Sequence, residues 1–186
     1  MNGGLDLAPA CNYPPPLIVS LDMSTMSLSR RHVLMATAFA AAAPGFALAA
    51  GTDPYAASPF RKLSDADWKT RLPQASYEVL RHEDTERPGT SSLLNEHRKG
   101  VFACLGCGLP IFKSEWKFES GTGWPSFYTY IPGALAKKAD FAIGVPRTEY
   151  HCAQCLGHHG HLFNDGPQPT GLRYCSNGVA LSFAPA

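Results

Sequence analysis

Four cysteines of this sequence form two Cys-x-x-Cys pairs, Cys104/Cys107 and Cys152/Cys155, and Cys175 stands apart near the C-terminus. Four soft thiolates are the ligand set of a tetrahedral structural zinc site. We therefore predict that the two pairs together bind one Zn²⁺ ion with a structural role. The thiol of Cys175 then has no partner cysteine and is available for chemistry.

Two other interpretations of the cysteine pairs remain open at this point. Two disulfides would suit an exported protein, and a redox-active Cys-x-x-Cys would suit an oxidoreductase. The paired spacing favours zinc, and glycines lie next to both pairs, at Gly106, Gly108 and Gly157. Glycine suits the tight turns that direct backbone amides toward sulfur.

The reactivity of Cys175 depends on its neighbours, because a lone cysteine in a strand is more often a buried apolar residue than a nucleophile. A thiol ionises near neutral pH only in a cationic, hydrogen-bonding environment. The sequence supplies candidates for that environment close to the cysteine: His158, His161, Asp165, Arg173 and Asn177. They favour a reactive Cys175.

Three of the candidate side chains have an alternative role. Trp124, in a Gly-Trp-Pro turn, either lines a small apolar pocket or packs in the core. His158 and His161 follow Cys155 closely and could be further metal ligands. Since four thiolates already complete a tetrahedral site, we favour catalysis for both histidines.

The size and charge of the chain restrict its class. With 186 residues and a net charge of +1, the sequence suits one globular domain and gives no reason to expect nucleic acid as a partner. Sixteen prolines and seventeen glycines indicate short elements and many turns.

Residues 1–50 are predicted to be an upstream extension followed by an export signal, with Met23 and Met26 as alternative translation starts. Arg30-Arg31, the apolar run Val33–Ala43 and the cleavage site Ala47-Leu48-Ala49 resemble a bacterial twin-arginine signal. A membrane anchor is the alternative, but the apolar stretch is rich in alanine and broken by proline and glycine. We expect a periplasmic or secreted protein that has lost Cys11.

The rest of the chain is predicted to be a linker, 51–63, and a mainly β domain, 64–186. Ser64 followed by acidic residues indicates a helix start, and a second helix is expected over about Gln74–His82, with Leu72, Tyr77 and Leu80 on its apolar face. Antiparallel hairpins are expected from short strand-like runs at 100–103, 110–112, 141–145, 148–151 and 179–183.

Several motifs in order make the stretch from Thr85 to Phe183 resemble methionine sulfoxide reductase B. They are CLGC, KFESGTGWPSF, RTEYHCAQC, GHHGHLFNDGP and PTGLRYCSNGVALSF. The resemblance implies two antiparallel sheets of coiled hairpins, a zinc ion remote from the reactive thiol, and reduction of the R epimer of methionine sulfoxide, free or in proteins.

The same resemblance implies a role for each candidate residue. Cys175 matches the nucleophile, and His161, with His158, matches the histidines that give a proton to the sulfoxide oxygen. Asn177 matches the asparagine that helps to hold the sulfoxide, and Trp124 the tryptophan that packs against the substrate methyl group. Asp165 and Arg173 match positions that keep the histidine and the thiolate in the right charge state.

Regeneration of the thiol is expected to need an external reductant. Many family members carry a resolving cysteine where this chain has Thr122, so we predict a one-cysteine cycle in which a sulfenic acid at Cys175 is reduced by thioredoxin or a thioredoxin-like protein. We expect the domain to act as a monomer, with no nucleic acid or membrane as partner.

The chain also departs from the family, with His159 in place of the usual leucine and no phenylalanine in the Thr85–Thr90 motif. Two other classes of protein remain as alternatives: a non-catalytic zinc-bearing binding or chaperone module of the same fold, and a general thiol-disulfide oxidoreductase.

Overall fold

The computed structural model describes residues 53–186. The predicted export signal, 1–50, and Cys11 lie outside the described residues. Within residues 53–186, no helix has both the length and the apolar character that a membrane span requires.

Two short helices open the domain, α1 (Asp65–Arg71) and α2 (Gln74–His82). The side chain of Ser64 accepts a hydrogen bond from the backbone N–H of Asp67, and the Asp67 carboxylate accepts one from the backbone N–H of Ser64. This reciprocal capping box satisfies two donors that a helix start leaves free. Both helices occur where the sequence predicted them.

Three antiparallel strands form the smaller sheet: β1 (Gly100–Cys104), β2 (Pro110–Lys113) and β9 (Leu181–Pro185). Strand β1 is central, with β2 and β9 on either side. The sheet therefore joins the first cysteine pair, which begins at the last residue of β1, to the C-terminal end of the chain.

Six strands form the larger sheet, in the order β3-β4-β8-β7-β6-β5, and adjacent strands are antiparallel. Their bounds are β3 (Lys117–Phe118), β4 (Ser126–Phe127), β5 (Leu135–Asp140), β6 (Arg147–Cys152), β7 (His158–Phe163) and β8 (Arg173–Ser176). The predicted mainly β fold with two antiparallel sheets is confirmed.

Aromatic side chains dominate the core. The rings of Phe112 and Phe127 stack with centroids 4.0 Å apart, and Tyr150 meets Tyr174 edge to face at 5.4 Å. Such pairs add to the free energy of burying their apolar area. All four methionines of the chain lie at positions 1, 23, 26 and 35, so the core formed by residues 53–186 contains none.

Two expectations about local structure are corrected. Residues 141–145, predicted as a strand, form an exposed turn between β5 and β6, because Gly144 has a φ of +76° and Pro146 follows. Residues 178–180, of which the last two were predicted to open a strand, form a 3-10 turn before β9. Within residues 53–63, Arg61 Nη2 donates to the carbonyl of Ala153 at 2.6 Å.

His159 on β7 is fully buried, and neither ring nitrogen has a hydrogen-bonding partner among the described residues. Its pKa is lowered to about 4, first by burial; the neighbouring His158 and His151 also lower the pKa, and Cys152 raises it. An unpaired polar ring in the core is costly. The family's usual leucine would avoid this cost.

We predict that His159→Leu raises the free energy of unfolding by about 1 to 3 kcal/mol at pH 7.5. It should also remove an acid sensitivity. Because the folded-state pKa lies below that of the unfolded chain, the wild type loses stability as pH falls from about 6.5 toward about 4, by up to about 3 kcal/mol.

Urea denaturation at pH 7.5 and pH 5 measures both effects, with His97→Gln, at an exposed position, as the control. An unchanged pH dependence in His159→Leu would rule out this origin of the acid sensitivity.

Candidate active site and metal centre

Cys175 lies on β8, between strands β4 and β7. In the register of the sheet it faces Ser126 on one side and His161 on the other. Strand β7 lies unusually close to β8 here. A Cβ atom at Gly160 would lie only 1.9 Å from the carbonyl oxygen of Cys175. Only glycine permits this approach, which brings His161 beside the thiol.

A small pocket of about 130 Å³ opens above Cys175. This volume is below the roughly 300–1,000 Å³ of typical cofactor sites, so the pocket suits one small side chain. Four of the predicted site residues line it: Trp124, His161, Cys175 and Asn177. The structure adds five others: Thr85, Arg147, Gly160, Phe163 and Ser176.

The Cys175 thiol is half-buried, and burial raises its pKa above the ordinary value. The positive charge of Arg173 and a hydrogen bond with Thr122 lower the pKa in part. The net direction is upward, so the thiol is neutral in the free protein at pH 7.

Arg173 is held by Asp165, as a bidentate pair with both N···O distances at 2.8 Å. The Arg173 side chain is only 8 % exposed, and its guanidinium also lies 4.2 Å from the ring centroid of Phe163. Asp165 thus fixes the cation next to the thiol. Asp165 contacts no histidine; that function falls to another carboxylate.

Asp140, at the end of β5, is the carboxylate that contacts His161. Its Oδ2 atom lies 2.7 Å from His161 Nε2 and 2.5 Å from Arg147 Nη2, and its Oδ1 accepts the backbone N–H of Ala142 at 2.8 Å. These three contacts hold the pKa of Asp140 well below its usual range, the backbone bond first. Asp140 is therefore a fixed negative charge beside His161.

Opposing effects act on the pKa of His161. Burial lowers it most, the bond to Asp140 raises it, and the Arg147 cation lowers it again. The balance is downward, so His161 is neutral at pH 7. An ionised Asp140 accepts the proton of Nε2, which leaves Nδ1 as the free nitrogen of the ring. Sequence reasoning found His161 but neither Asp140 nor Arg147.

His158 lies outside the pocket, behind His161, with ring centroids 5.4 Å apart. Only 2 % of its side chain is exposed, and its Nδ1 atom is 3.0 Å from the buried carboxylate of Glu149. Lys138 approaches the same carboxylate at 2.9 Å. The geometry makes His158 a support for His161 and gives it no direct access to a ligand in the pocket.

Glu86 fixes two walls of the pocket through its backbone. Its carbonyl accepts Trp124 Nε1 at 3.0 Å, and its N–H donates to Asn177 Oδ1 at 3.0 Å. Its carboxylate accepts the backbone N–H of Val179 at 2.7 Å, although burial raises its pKa. Because backbone contacts leave no pattern in the sequence, sequence reasoning missed this role.

Asn177 is 4 % exposed and is held from both sides. Besides accepting from Glu86, it donates from Nδ2 to the carbonyl of His159 at 3.0 Å. An Nδ2 group carries two N–H donors, so one remains for a ligand in the pocket.

The four cysteines of the two pairs come together at the turns after β1 and β6. Their sulfur atoms all lie within 4.8 Å of one another. Cys104 Sγ is 3.6 Å from Cys155 Sγ, and Cys107 Sγ is 3.5 Å from Cys152 Sγ. A tetrahedral ion with Zn–S bonds of ~2.3 Å would have sulfur–sulfur edges of about 3.8 Å. The cluster therefore fits one metal ion.

The pKa values of the clustered thiols also favour a metal ion at this position. Mutual hydrogen bonds raise the pKa of Cys104 and lower that of Cys152, because the four thiols crowd together and cannot ionise independently. A divalent cation would allow all four to bind as thiolates. No histidine joins the group among the described residues, so His158 and His161 are not ligands.

Cys175 is the only cysteine of the described residues outside the cluster. Thr122 occupies the position of the resolving cysteine of many family members, and its side chain lowers the pKa of Cys175. It also hydrogen-bonds to Ser120 at 2.8 Å. The pocket thus contains one redox-active atom.

Comparison with known proteins agrees with this site. Residues 72–185 match the SelR domain family. The chain is 47 % identical over 129 residues to the peptide methionine sulfoxide reductase MsrB of Agrobacterium fabrum (strain C58), covering 69 % of this chain and 96 % of that relative. It is 48 % identical over 121 residues to the MsrB of Leptospira interrogans, covering 64 % and 92 %.

The contact between Asp140 and His161 can be tested directly. We predict that Asp140→Asn lowers the pKa of the His161 imidazole further, because a charged hydrogen bond that favours the imidazolium is lost and the cation of Arg147 remains. An NMR titration of the His161 ring measures the shift. Glu115→Gln, at an exposed and remote position, is the control. An unshifted His161 would contradict the assignment.

Proposed function

This chain belongs to the SelR-domain family, and we propose that it reduces methionine sulfoxide to methionine, with Cys175 as the nucleophile and the R epimer as its substrate. The observation that carries the proposal is the convergence of Cys175, His161, Asn177 and Trp124 on one small pocket. Family membership favours this activity over a non-catalytic binding module.

The pocket has distinct sides for the substituents of the sulfoxide sulfur. The indole of Trp124 offers an apolar surface for the methyl group, and His161 with the free N–H of Asn177 offers polar contacts for the oxygen. Exchanging the two substituents would place the oxygen on the indole. This asymmetry supports selection of one epimer.

The reaction moves one oxygen atom. The sulfur of Cys175 attacks the sulfoxide sulfur, the sulfur–oxygen bond of the substrate breaks, and Cys175 ends as a sulfenic acid. The substrate sulfur gains two electrons and the cysteine sulfur loses two. The neutral thiol brings one proton to the reaction, and the sulfenic acid keeps one proton on its hydroxyl group. The step therefore consumes no external acid.

His161 and Asp140 would move that proton. The free nitrogen of His161 can accept the thiol proton and give it to the sulfoxide oxygen, while the Asp140 carboxylate stabilises the imidazolium that forms in between. Arg173, fixed by Asp165, stabilises the developing thiolate. His158 acts through His161 as a positioning residue.

The sulfenic acid is returned to the thiol by an external reductant. Two thiols of the reductant remove the oxygen as water and become a disulfide. Because Cys175 has no second free cysteine among the described residues, we propose a one-cysteine cycle served by thioredoxin or a thioredoxin-like protein.

We further propose that the four-cysteine cluster holds one structural Zn²⁺ ion through Cys104, Cys107, Cys152 and Cys155. Paired thiolates in tetrahedral spacing are the usual structural zinc site. The ion would stabilise the fold and take no part in catalysis.

We also propose that the protein is exported to the periplasm by its twin-arginine-type signal and works there as a monomer. That route carries folded proteins, so the cluster could take up its metal in the reducing cytoplasm. The reductant would then be a thioredoxin-like protein of the periplasm.

The catalytic proposal predicts that wild-type protein, given methionine (R)-sulfoxide without a reductant, forms one sulfenic acid at Cys175, which dimedone traps for mass spectrometry. Cys175→Ser should give no adduct and no turnover, because the only oxidisable atom of the pocket is removed. Its circular dichroism and metal content should match the wild type. Turnover by Cys175→Ser would refute the role, and an intramolecular disulfide in place of the adduct would refute the one-cysteine cycle.

The metal proposal predicts that Cys104→Ser loses the bound zinc and melts at a much lower temperature, because structural zinc contributes on the order of 10 kcal/mol to the folding of isolated zinc modules. Elemental analysis and calorimetry measure the two effects. Cys175→Ser is the matched control, since it removes a thiol outside the cluster. Equal zinc contents in the two variants would overturn the assignment.

A further inference from the structure

The turn between β5 and β6 exposes three large apolar side chains. Phe141, Ile143 and Val145 are 65 %, 62 % and 61 % exposed. Single exposed apolar residues are common, but three in one turn form a patch, and such patches mark interaction sites. We refer to residues 141–146 as the apolar tip.

The apolar tip is an ordered turn. The backbone N–H of Gly144 donates to the carbonyl of Phe141 at 3.0 Å, and the N–H of Ala142 donates to Asp140 Oδ1 at 2.8 Å. The φ of +76° at Gly144 suits this reversal. Since hydrogen bonds of the turn itself fix the backbone, little entropy would be lost when a ligand binds the exposed side chains.

A groove of about 580 Å³ lies beside the apolar tip and adjoins the catalytic pocket. Val145 and Pro146 line its outer part, and Leu162 and Phe163 line it on β7. Arg147 and Phe163 belong to both the groove and the catalytic pocket. A chain whose sulfoxide enters the pocket would therefore meet the groove at Arg147 and Phe163.

The charge of the groove restricts its ligand. Arg147 is the only charged residue in its lining, and its guanidinium is paired with Asp140 at 2.5 Å. The other lining residues are apolar or neutral. A ligand that complements this surface is uncharged and apolar.

We propose that the groove and the apolar tip bind apolar side chains next to the oxidised methionine of a polypeptide substrate. The inference rests on the proposed reduction of methionine sulfoxide. The catalytic pocket has room for one side chain, so neighbouring residues of a polypeptide must lie on its rim, where the groove begins. The enzyme would thus favour oxidised methionines in apolar segments over polar segments and over the free amino acid.

The test uses three substrates that share one reacting group: a blocked heptapeptide with methionine (R)-sulfoxide between leucines, the same peptide with serines, and free N-acetylmethionine (R)-sulfoxide. We expect the wild type to have a higher kcat/KM on the leucine peptide than on the serine peptide. In the double variant Ile143→Ser/Val145→Ser this preference should fall about tenfold, because two of the three exposed apolar side chains of the apolar tip become polar.

Leu156→Asn is the matched control. Leu156 is 47 % exposed and lies at the opposite end of β6 from the apolar tip. Its φ of +62° is one that asparagine tolerates, so the change should not disturb the turn. This variant should retain the wild-type preference, and calorimetry should show both variants folded.

The two proposals fail in different ways. If the wild type reduces none of the three substrates, the proposed function fails. If it reduces all three and the double variant retains the preference for the leucine peptide within twofold, only the inference about the groove is overturned. A double variant that retains the preference but no longer binds phosphatidylglycerol vesicles would also overturn it, and would assign the apolar tip to a lipid surface.

Discussion

The four-cysteine cluster is the constraint on which the rest of the structure depends. One pair begins at the last residue of β1 in the smaller sheet, and the other begins at the last residue of β6 in the larger sheet, so the cluster joins the two sheets. The two helices also pack against this junction. Trp68 packs over Gly106, and Arg81 donates a hydrogen bond to the carbonyl of Cys155 at 3.1 Å. Strand β7 begins just beyond this junction, and its position sets that of His161.

Two separate ion pairs set the electrostatic environment of the site, and each acts on a different group. Asp165 and Arg173 act on the sulfur, and Asp140 with Arg147 acts on His161. In the free protein, burial outweighs both, so the thiol and the imidazole are neutral. A neutral resting site protects the thiol from stray oxidants, because the thiolate is the reactive form. The cationic partners are already in place when the substrate excludes water.

The sequence predicted whatever depends on local chemistry. The spacing of the cysteine pairs, the Ser64 cap and the residues around Cys175 carry their own signals, and the structure brings most of them together. The sequence alone could not predict that Asp140 lies beside His161, because this contact depends on the pairing of three strands. Nor could it predict Glu86, which acts through backbone atoms. Phe141, Ile143 and Val145 alternate with small residues in the pattern of a half-buried strand. Only the hydrogen bonds of the turn and the conformation of Gly144 show that the segment is a turn.

The composition of the core determines how the domain responds to oxidants. Aromatic and aliphatic side chains fill it, and residues 53–186 include no methionine. Oxidation converts a buried methionine into a polar, chiral side chain and disrupts the packing around it. The domain therefore cannot acquire in its own interior the damage that it removes from others. A repair enzyme built in this way does not become its own client when oxidants accumulate.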